Sequence, residues 1–406
     1  MSSVTRRWLA IAALAAALAE PALAQDATAP KPPAQPAPIA QPVPVQPTPS
    51  AVPAAAPAPV KNPAPPAEAA PAFGKNRGRE RASARWQRDD AQTGVAWRPR
   101  WSTPLMQAAA NGDLAAVKSL LAAGKDVNET SPKQRLTALH AAVHMGSMPV
   151  AVALLDAGAK VDAADDQGMT PLHVAALDNR LDFVKLLLKK GAARSPKSEG
   201  NMTPLHIATR EGHVAVALAL IDAGAEVTGP GFRTWEPIHF AVRTGDVTLV
   251  KRLLDKGAKV DEPRRNNGWQ PIHLAVQANQ RPVVELLLAR GASIDATATN
   301  GLTPLHVATQ QNNPTMAEFL LSRGAKVDMK AKATGVTPLH IAAGLGKLEV
   351  ARVLLAHGAS LTIETDEGLN ALQLSQREVR NPERAQELAA VHALLEEQAA
   401  KPAVKQ

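Results

Sequence analysis

The feature that most limits how this chain can fold is a motif that returns every 33 or 34 residues. Each copy begins with a slot that usually holds Thr, followed by Pro or Ala, Leu or Ile, and usually His. The slot residues, which we use to number units one to nine, are Thr103, Thr137, Thr170, Thr203, Glu236, Gln270, Thr303, Thr337 and Asn370. A unit of this length cannot bury an apolar face alone, so the units have to stack into a solenoid.

A second landmark, a glycine that follows an apolar run such as Val184–Leu188, keeps the same period independently. These glycines are Gly124, Gly158, Gly191, Gly224, Gly257, Gly291, Gly324 and Gly358. A glycine adopts the left-handed conformation that closes a helix, whereas Thr caps a helix start and Pro suits the first helical position. The pattern predicts two helices per unit, with core-facing Leu and Ala, and then a loop.

The Thr-Pro-Leu-His-x-Ala motif, as at Thr170 and Thr203, and the Leu-Leu-x-x-Gly-Ala ending resemble ankyrin repeats over residues 102–398. The resemblance implies an all-α repeat solenoid of nine stacked helix-turn-helix units with hairpin loops, and a partner protein bound on the concave and loop face. In the last unit Gln373 replaces His and the leucine pair shifts to Leu394-Leu395. This unit is therefore predicted to be a cap, followed by a tail at 399–406.

Residues 1–24 have the organisation of a cleavable signal peptide. Arg6 and Arg7 precede an apolar run from Trp8 to Leu18, and Ala22-Leu23-Ala24 suits signal peptidase. The run is too short to span a bilayer, so we expect no transmembrane helix in the mature chain. We expect export to a bacterial periplasm, with an extracellular destination as the alternative, and both general and twin-arginine export stay open.

Residues 25–72 are nearly all Pro, Ala, Gln and Val, without a periodic apolar face. Such a segment cannot bury enough surface to offset its ordering entropy, and its prolines favour the polyproline II conformation. It is predicted to be a disordered spacer that acts as a semi-rigid tether. A specific Pro-rich ligand for a groove on a partner is the alternative.

Residues 73–101 form a basic segment with eight basic and three acidic side chains, and Trp86, Trp97 and Trp101 lie within it. In one interpretation its tryptophans cover the apolar end of unit one. In the other it binds an anionic lipid or polymer of the envelope. The arginines assigned to that second role are Arg77, Arg79, Arg81 and Arg85. Export argues against nucleic acid as a partner.

Seven histidines occupy one repeat position, which raises the question of metal or proton chemistry. They are His140, His173, His206, His239, His273, His306 and His340. Helices of successive units pack about 8 to 10 Å apart, whereas a zinc ion needs its nitrogens within about 2 Å. The resemblance implies instead that these histidines bond to neighbouring loops. The chain has no cysteine, and no catalytic, cofactor or metal site is predicted, so we expect no enzyme activity.

The residue before the slot faces the binding groove according to the resemblance, and two adjacent units carry Trp235 and Trp269 there. Trp and Arg are enriched at binding hot spots, although both rings alternatively pack on their own hairpins. The loop Gly229–Phe232 also departs from the family's usual turn. The predicted partner-binding residues are Met202, Phe232, Arg233, Trp235, Arg243, Arg264, Arg265 and Trp269, with Arg210 and Gln277 as weaker candidates.

Together these features predict a monomeric protein-protein interaction scaffold or adaptor in the bacterial cell envelope. Two alternatives stay open at this point. The first is an envelope tether that binds anionic lipid or polymer through the basic segment. The second is a secreted effector that binds a host protein.

Overall fold

A computed structural model describes residues 102–229, 231, 235–376 and 381–401. All regular secondary structure within these ranges is helical. The helices are α1 Pro104–Ala110, α2 Leu114–Ala122, α3 Ala138–Met145, α4 Met148–Asp156, α5 Pro171–Leu177, α6 Leu181–Lys189, α7 Pro204–Arg210, α8 Val214–Asp222, α9 Pro237–Thr244, α10 Val247–Asp255, α11 Pro271–Gln277, α12 Arg281–Ala289, α13 Pro304–Gln310, α14 Pro314–Ser322, α15 Pro338–Leu345, α16 Leu348–Ala356, α17 Ala371–Ser375 and α18 Pro382–Ala400.

The helices pair in chain order, and each pair packs on the next. Within a pair the first helix contacts the second, as α5 contacts α6, and first helices also contact first helices of the neighbouring pairs. Second helices form a parallel row in the same way, as α10 contacts α8 and α12. The described residues therefore form an all-helical solenoid, with one row of first helices and one row of second helices.

The helix ends follow from the residues that the sequence places there. In unit four, the Thr203 hydroxyl accepts a hydrogen bond from the His206 N–H at 3.3 Å, and Pro204 fills the first helical position. At the end of α6, Gly191 has a φ of +88°, and the Ala192 N–H returns to the Leu187 carbonyl at 3.0 Å. The predicted cap and C-terminal turn are confirmed.

The core runs between the two rows of helices. Leu172, Leu205 and Ile238, each two residues after a slot, are fully buried, as are Leu187 and Leu220 of the second helices. Because each helix pair packs on the pairs before and after it, neighbouring units cover these apolar side chains. Burying one such side chain contributes about 1.5–3 kcal/mol.

Short hairpins join one pair to the next and bond to each other. Each closes with a backbone hydrogen bond, for example from Ser198 N–H to the Met202 carbonyl at 3.0 Å. Adjacent hairpins are joined where the Asp166 N–H donates to the Gln134 carbonyl and the Glu199 N–H to the Gln167 carbonyl, at 2.9 and 2.8 Å. Backbone hydrogen bonds thus connect successive hairpins along the stack.

The final pair departs from the others in the way expected of a cap. The first helix, α17, has only five residues, and α18 has nineteen. Leu388, Val391 and Leu395 of α18 are buried, and this helix contacts α15, α16 and α17. Because α18 ends at Ala400, helix extends slightly past the predicted boundary at residue 398.

Several sequence predictions lie outside the described residues. These are the signal peptide at 1–24, the spacer at 25–72, the basic segment at 73–101, with its arginines, and residues 402–406 of the tail. They remain predictions. Among the described helices, none combines the length and the apolar character needed to cross a membrane.

Candidate partner-binding face

The seven histidines that share one repeat position, from His140 to His340, are called the histidine ladder here, and six of them hydrogen bond to the next hairpin. In unit three, Nδ1 of His173 accepts the Thr170 backbone N–H at 3.0 Å, while Nε2 lies 2.9 Å from the Met202 carbonyl. A backbone N–H can only donate, so Nδ1 is the acceptor and Nε2 carries the proton. The predicted contact with neighbouring loops is found for six of the seven ladder histidines.

Burial keeps the ladder histidines neutral. Desolvation lowers the pKa of six of them from 6.5 to about 4, against a smaller opposing effect of their carbonyl partners. The pKa of His340 is lowered for the same reason. No group of three or more His, Cys, Asp or Glu side chains in the described ranges is placed to hold a metal ion. The ladder is part of the scaffold.

The ladder changes its acceptor at the two hairpins that carry tryptophan. In four other units Nε2 bonds to the carbonyl of the residue before the next slot, as in the bond from His273 to Leu302. His206 instead bonds to the Gly229 carbonyl at 2.9 Å, and His239 to the Glu262 carbonyl at 2.8 Å. The units that the sequence singled out thus have a different local geometry, although Gly231 still closes its hairpin onto the Trp235 carbonyl at 2.9 Å.

Trp235 is the centre of an aromatic and cationic cluster. Its ring stacks on Phe240 with centroids 4.8 Å apart and an interplanar angle of 27°. The guanidinium carbon of Arg264 lies 4.3 Å from the ring centroid, and that of Arg243 lies 5.5 Å away. Such cation-π contacts contribute about 0.5–2 kcal/mol. We call these four residues the Trp235 cluster.

The two tryptophans are nearly enclosed. Trp235 is 4% exposed and Trp269 is 7% exposed, and the Trp269 ring lies 5.8 Å from His273. Both rings are therefore largely covered by packing within the stack. Direct contact between these rings and a partner stays a prediction, and the side chains around them are the more accessible surface.

The other predicted site residues divide into buried and exposed sets. Met202 and Arg264 are both 6% exposed, so they contribute to the packing under the proposed binding surface. Arg243 and Arg265 are exposed, and the structure brings Arg243 into the Trp235 cluster. Phe232 and Arg233 lie outside the described residues. The weaker candidates Arg210 and Gln277 are both exposed, at the ends of α7 and α11.

Phe240 is the functional candidate that sequence reasoning missed. It occupies the position after the ladder histidine, where six other units hold a buried aliphatic side chain. Those residues are Ala141, Val174, Ile207, Leu274, Val307 and Ile341. Phe240 is half-buried and stacks on Trp235. The sequence did contain a signal for Phe240, because it is a large aromatic residue at a repeat position that holds smaller aliphatic residues in six other units.

Comparisons with known proteins agree with this architecture. The sequence matches the family profile described as "Ankyrin repeats (3 copies)" at residues 105–198, 165–230, 228–298 and 294–365. These overlapping matches span more than half of the chain. The chain belongs to the ankyrin-repeat family. The profile matches end before α17, so the count of nine ankyrin repeats remains a prediction.

The ankyrin-repeat fold is also seen in a solved structure. The crystal structure of the human ASB11 ankyrin repeat domain aligns over 58% of this chain and 100% of its own, with 33% identity and a TM-score of 0.51. No curated protein matches the sequence. Ankyrin repeats generally mediate protein-protein interaction, and members of the family are typically scaffolds rather than enzymes. Phe240 and Arg243, which are partly or fully exposed around Trp235, are of the residue types that such contacts use.

Proposed function

We propose that this protein is a binding scaffold whose partner protein docks on the first helices and hairpins of units four to six. The observation that carries the proposal is the Trp235 cluster, where half-buried Phe240 replaces a buried aliphatic side chain and exposed Arg243 lies beside it. Aromatic and Arg side chains over a packed base are the usual composition of a binding hot spot. Buried Trp235 and Arg264 hold these residues in position.

A photo-crosslinking amino acid at position 277 tests this face directly. Gln277 is exposed at the end of α11 in unit six, and Thr248 is exposed on α10, the second helix of unit five. Crosslinking in the native cells should give one dominant adduct from position 277 and none from position 248. Phe240→Ala should remove that adduct. Identical adducts from both positions, or an adduct unaffected by Phe240→Ala, would contradict the proposal.

We also propose that the scaffold works in the bacterial cell envelope after export. The basic start, short apolar run and Ala22-Leu23-Ala24 ending of the sequence support this location. Fractionation followed by N-terminal sequencing should recover a periplasmic chain that begins at Gln25. A chain that keeps its first residues and stays in the cytoplasm would rule out the location without affecting the binding proposal.

A further inference from the structure

The exposed side chains of the first helices change character from unit to unit. Seven residues after the slot, units four and five carry Arg210 and Arg243, both exposed. The same position holds His144 and Leu177 in the two preceding units, and Gln277 in the next. Two adjacent units thus carry exposed arginine at equivalent positions, with residues of lower charge on either side.

Further positive charge converges on the same place. Arg264 packs 4.3 Å from the Trp235 ring centroid, Arg243 lies 5.5 Å from it, and exposed Arg265 follows Arg264 in the hairpin. The aromatic surface of buried Trp235 and half-buried Phe240 displaces water from beside Arg243 and Arg264. A charge beside low-dielectric material interacts more strongly with an approaching ion than a charge surrounded by water.

Acidic side chains also occur in this part of the chain, including Glu211, Glu236 and Glu262. Glu262 pairs with Lys259 at 3.2 Å. Glu236 is 8% exposed, and burial raises the pKa of its carboxyl group, with the charge of Glu262 adding to the effect. Glu211 is different, because it pairs with Arg210 at 2.7 Å. An incoming carboxylate would compete with Glu211 for Arg210, and the Arg243 guanidinium group lies beside the Trp235 ring.

The spacing of the two arginines suits an extended chain. They occupy the same position in adjacent units, whose helices pack about 8 to 10 Å apart. A segment in the extended polyproline II conformation has three residues per turn and advances about 3.1 Å per residue, so side chains three positions apart share one face and lie about 9 Å from each other. A carboxylate accepts two parallel hydrogen bonds from a guanidinium group, which fixes its position as well as its charge.

We propose that units four to six bind an extended acidic segment of a partner protein, with carboxylates three residues apart on Arg210 and Arg243. The inference rests on the proposed function and names the chemistry of its partner. Charge complementarity selects this occupant. Trp235 and Phe240 form the base of the site, and Gln277 is placed to hydrogen bond to the next part of the segment.

The test uses the whole protein and a fluorescent peptide that repeats Glu-Ser-Gly, with a control peptide of the same composition whose glutamates form one block. The spaced peptide should bind more tightly than the block peptide. Its affinity should fall as salt rises from about 0.1 to about 1 M, since the screening length then shrinks from about 10 to about 3 Å. Equal affinity for the two peptides, or no binding of the spaced one, would overturn the proposal.

Charge variants make the test specific to these arginines. Arg243→Glu should weaken binding of the spaced peptide about tenfold or more, because a like charge then faces the carboxylate. Glu211→Gln should tighten binding about threefold, because it releases Arg210 from its neighbour. Arg352→Glu makes the same charge change at an exposed position of α16. It should change the affinity less than about twofold. Matching thermal melts show that the variants are folded.

Two results would overturn the inference even if the peptide binds. One is an equal loss of affinity in Arg243→Glu and Arg352→Glu, which indicates a general charge effect. The other is weaker binding in Glu211→Gln. If the acidic peptide fails while the crosslinker at position 277 still captures a partner, the acidic-segment inference is wrong and the proposed function stands.

Discussion

At the scale of single residues, Gly231 shows how closely the unit-five hairpin approaches unit four. A Cβ atom at this position would lie 2.5 Å from Cδ2 of His206 and 3.0 Å from Sδ of Met202. Both neighbours are buried, so neither has room to withdraw. Glycine is therefore required here for close approach rather than for an unusual backbone angle.

We predict that Gly231→Ala lowers the free energy of unfolding by about 1–3 kcal/mol, because the added methyl group overpacks the contact with His206. Gly344 provides the matched control. It lies inside α15, and an added Cβ would meet no atom within 4 Å. Gly344→Ala should stabilise the protein by up to about 1 kcal/mol through helix propensity. Denaturant titration measures both changes, and similar values for the two variants would refute this account of Gly231.

Residue by residue, the sequence predicts the scaffold better than the site. Thr203, Pro204 and Gly191 act locally, so their roles as caps and turn residues follow from type and position alone. The burial of Trp235 depends on Arg264, which is distant in sequence and meets the ring only after the units stack. The partial exposure of Phe240 also depends on packing between units, so it cannot be inferred from the neighbours of Phe240 in the chain.

At the scale of elements, the terminal helix α18 closes the apolar end of the stack. Its buried side chains Leu388, Val391 and Leu395 contribute to packing on α15 and α16. Terminal units of solenoids need such a cover, because an inner unit in that place would expose an apolar face to water. The displaced leucine pair predicted a cap, but the shortening of α17 to five residues was not foreseen.

We predict that Leu388→Ala lowers the free energy of unfolding by about 2–5 kcal/mol, because it leaves a cavity under α18. Leu394 is half-buried on the same helix, so Leu394→Ala should cost clearly less. Chemical denaturation of the two variants side by side gives the comparison. Equal losses would mean that α18 does not pack on the stack as described.

At the scale of the whole molecule, the histidine ladder makes stability depend on pH. The folded-state pKa of six histidines is about 4, below the value of 6.5 expected when the chain is unfolded. The unfolded chain therefore binds more protons between these values. The stabilisation is fully present above pH 6.5 and is lost as pH falls towards 4, at about 1.4 kcal/mol per pH unit for each proton.

The expected result is a steep fall in the urea midpoint from pH 6.5 to pH 4. His306→Gln should reduce the pH dependence by the contribution of one proton, since glutamine does not titrate. Unit nine has glutamine at the repeat position of the ladder histidines, and there Oε1 of Gln373 accepts a hydrogen bond from the Asn370 N–H at 2.9 Å. A midpoint that stays constant across this pH range would show that the ladder histidines are not buried in their neutral form.

The solenoid as a whole repeats one scaffold and departs from it in units four to six. There the ladder histidines change acceptor, Trp235 stacks on Phe240, and exposed arginines lie beside them. The repeat pattern predicted the location of this departure. Which side chains face outwards was set by packing between units, so the candidate site moves from the tryptophan rings to Phe240 and Arg243.

The central claim is that the partner docks on this face, and the dissociation constant of the captured partner tests it most directly. We predict that Phe240→Ala weakens binding at least tenfold, about 1.4 kcal/mol, while Thr248→Ala on the second helix leaves the affinity unchanged. Thermal melts confirm that both variants are folded. Wild-type affinity in Phe240→Ala, or an equal loss in Thr248→Ala, would contradict the claim.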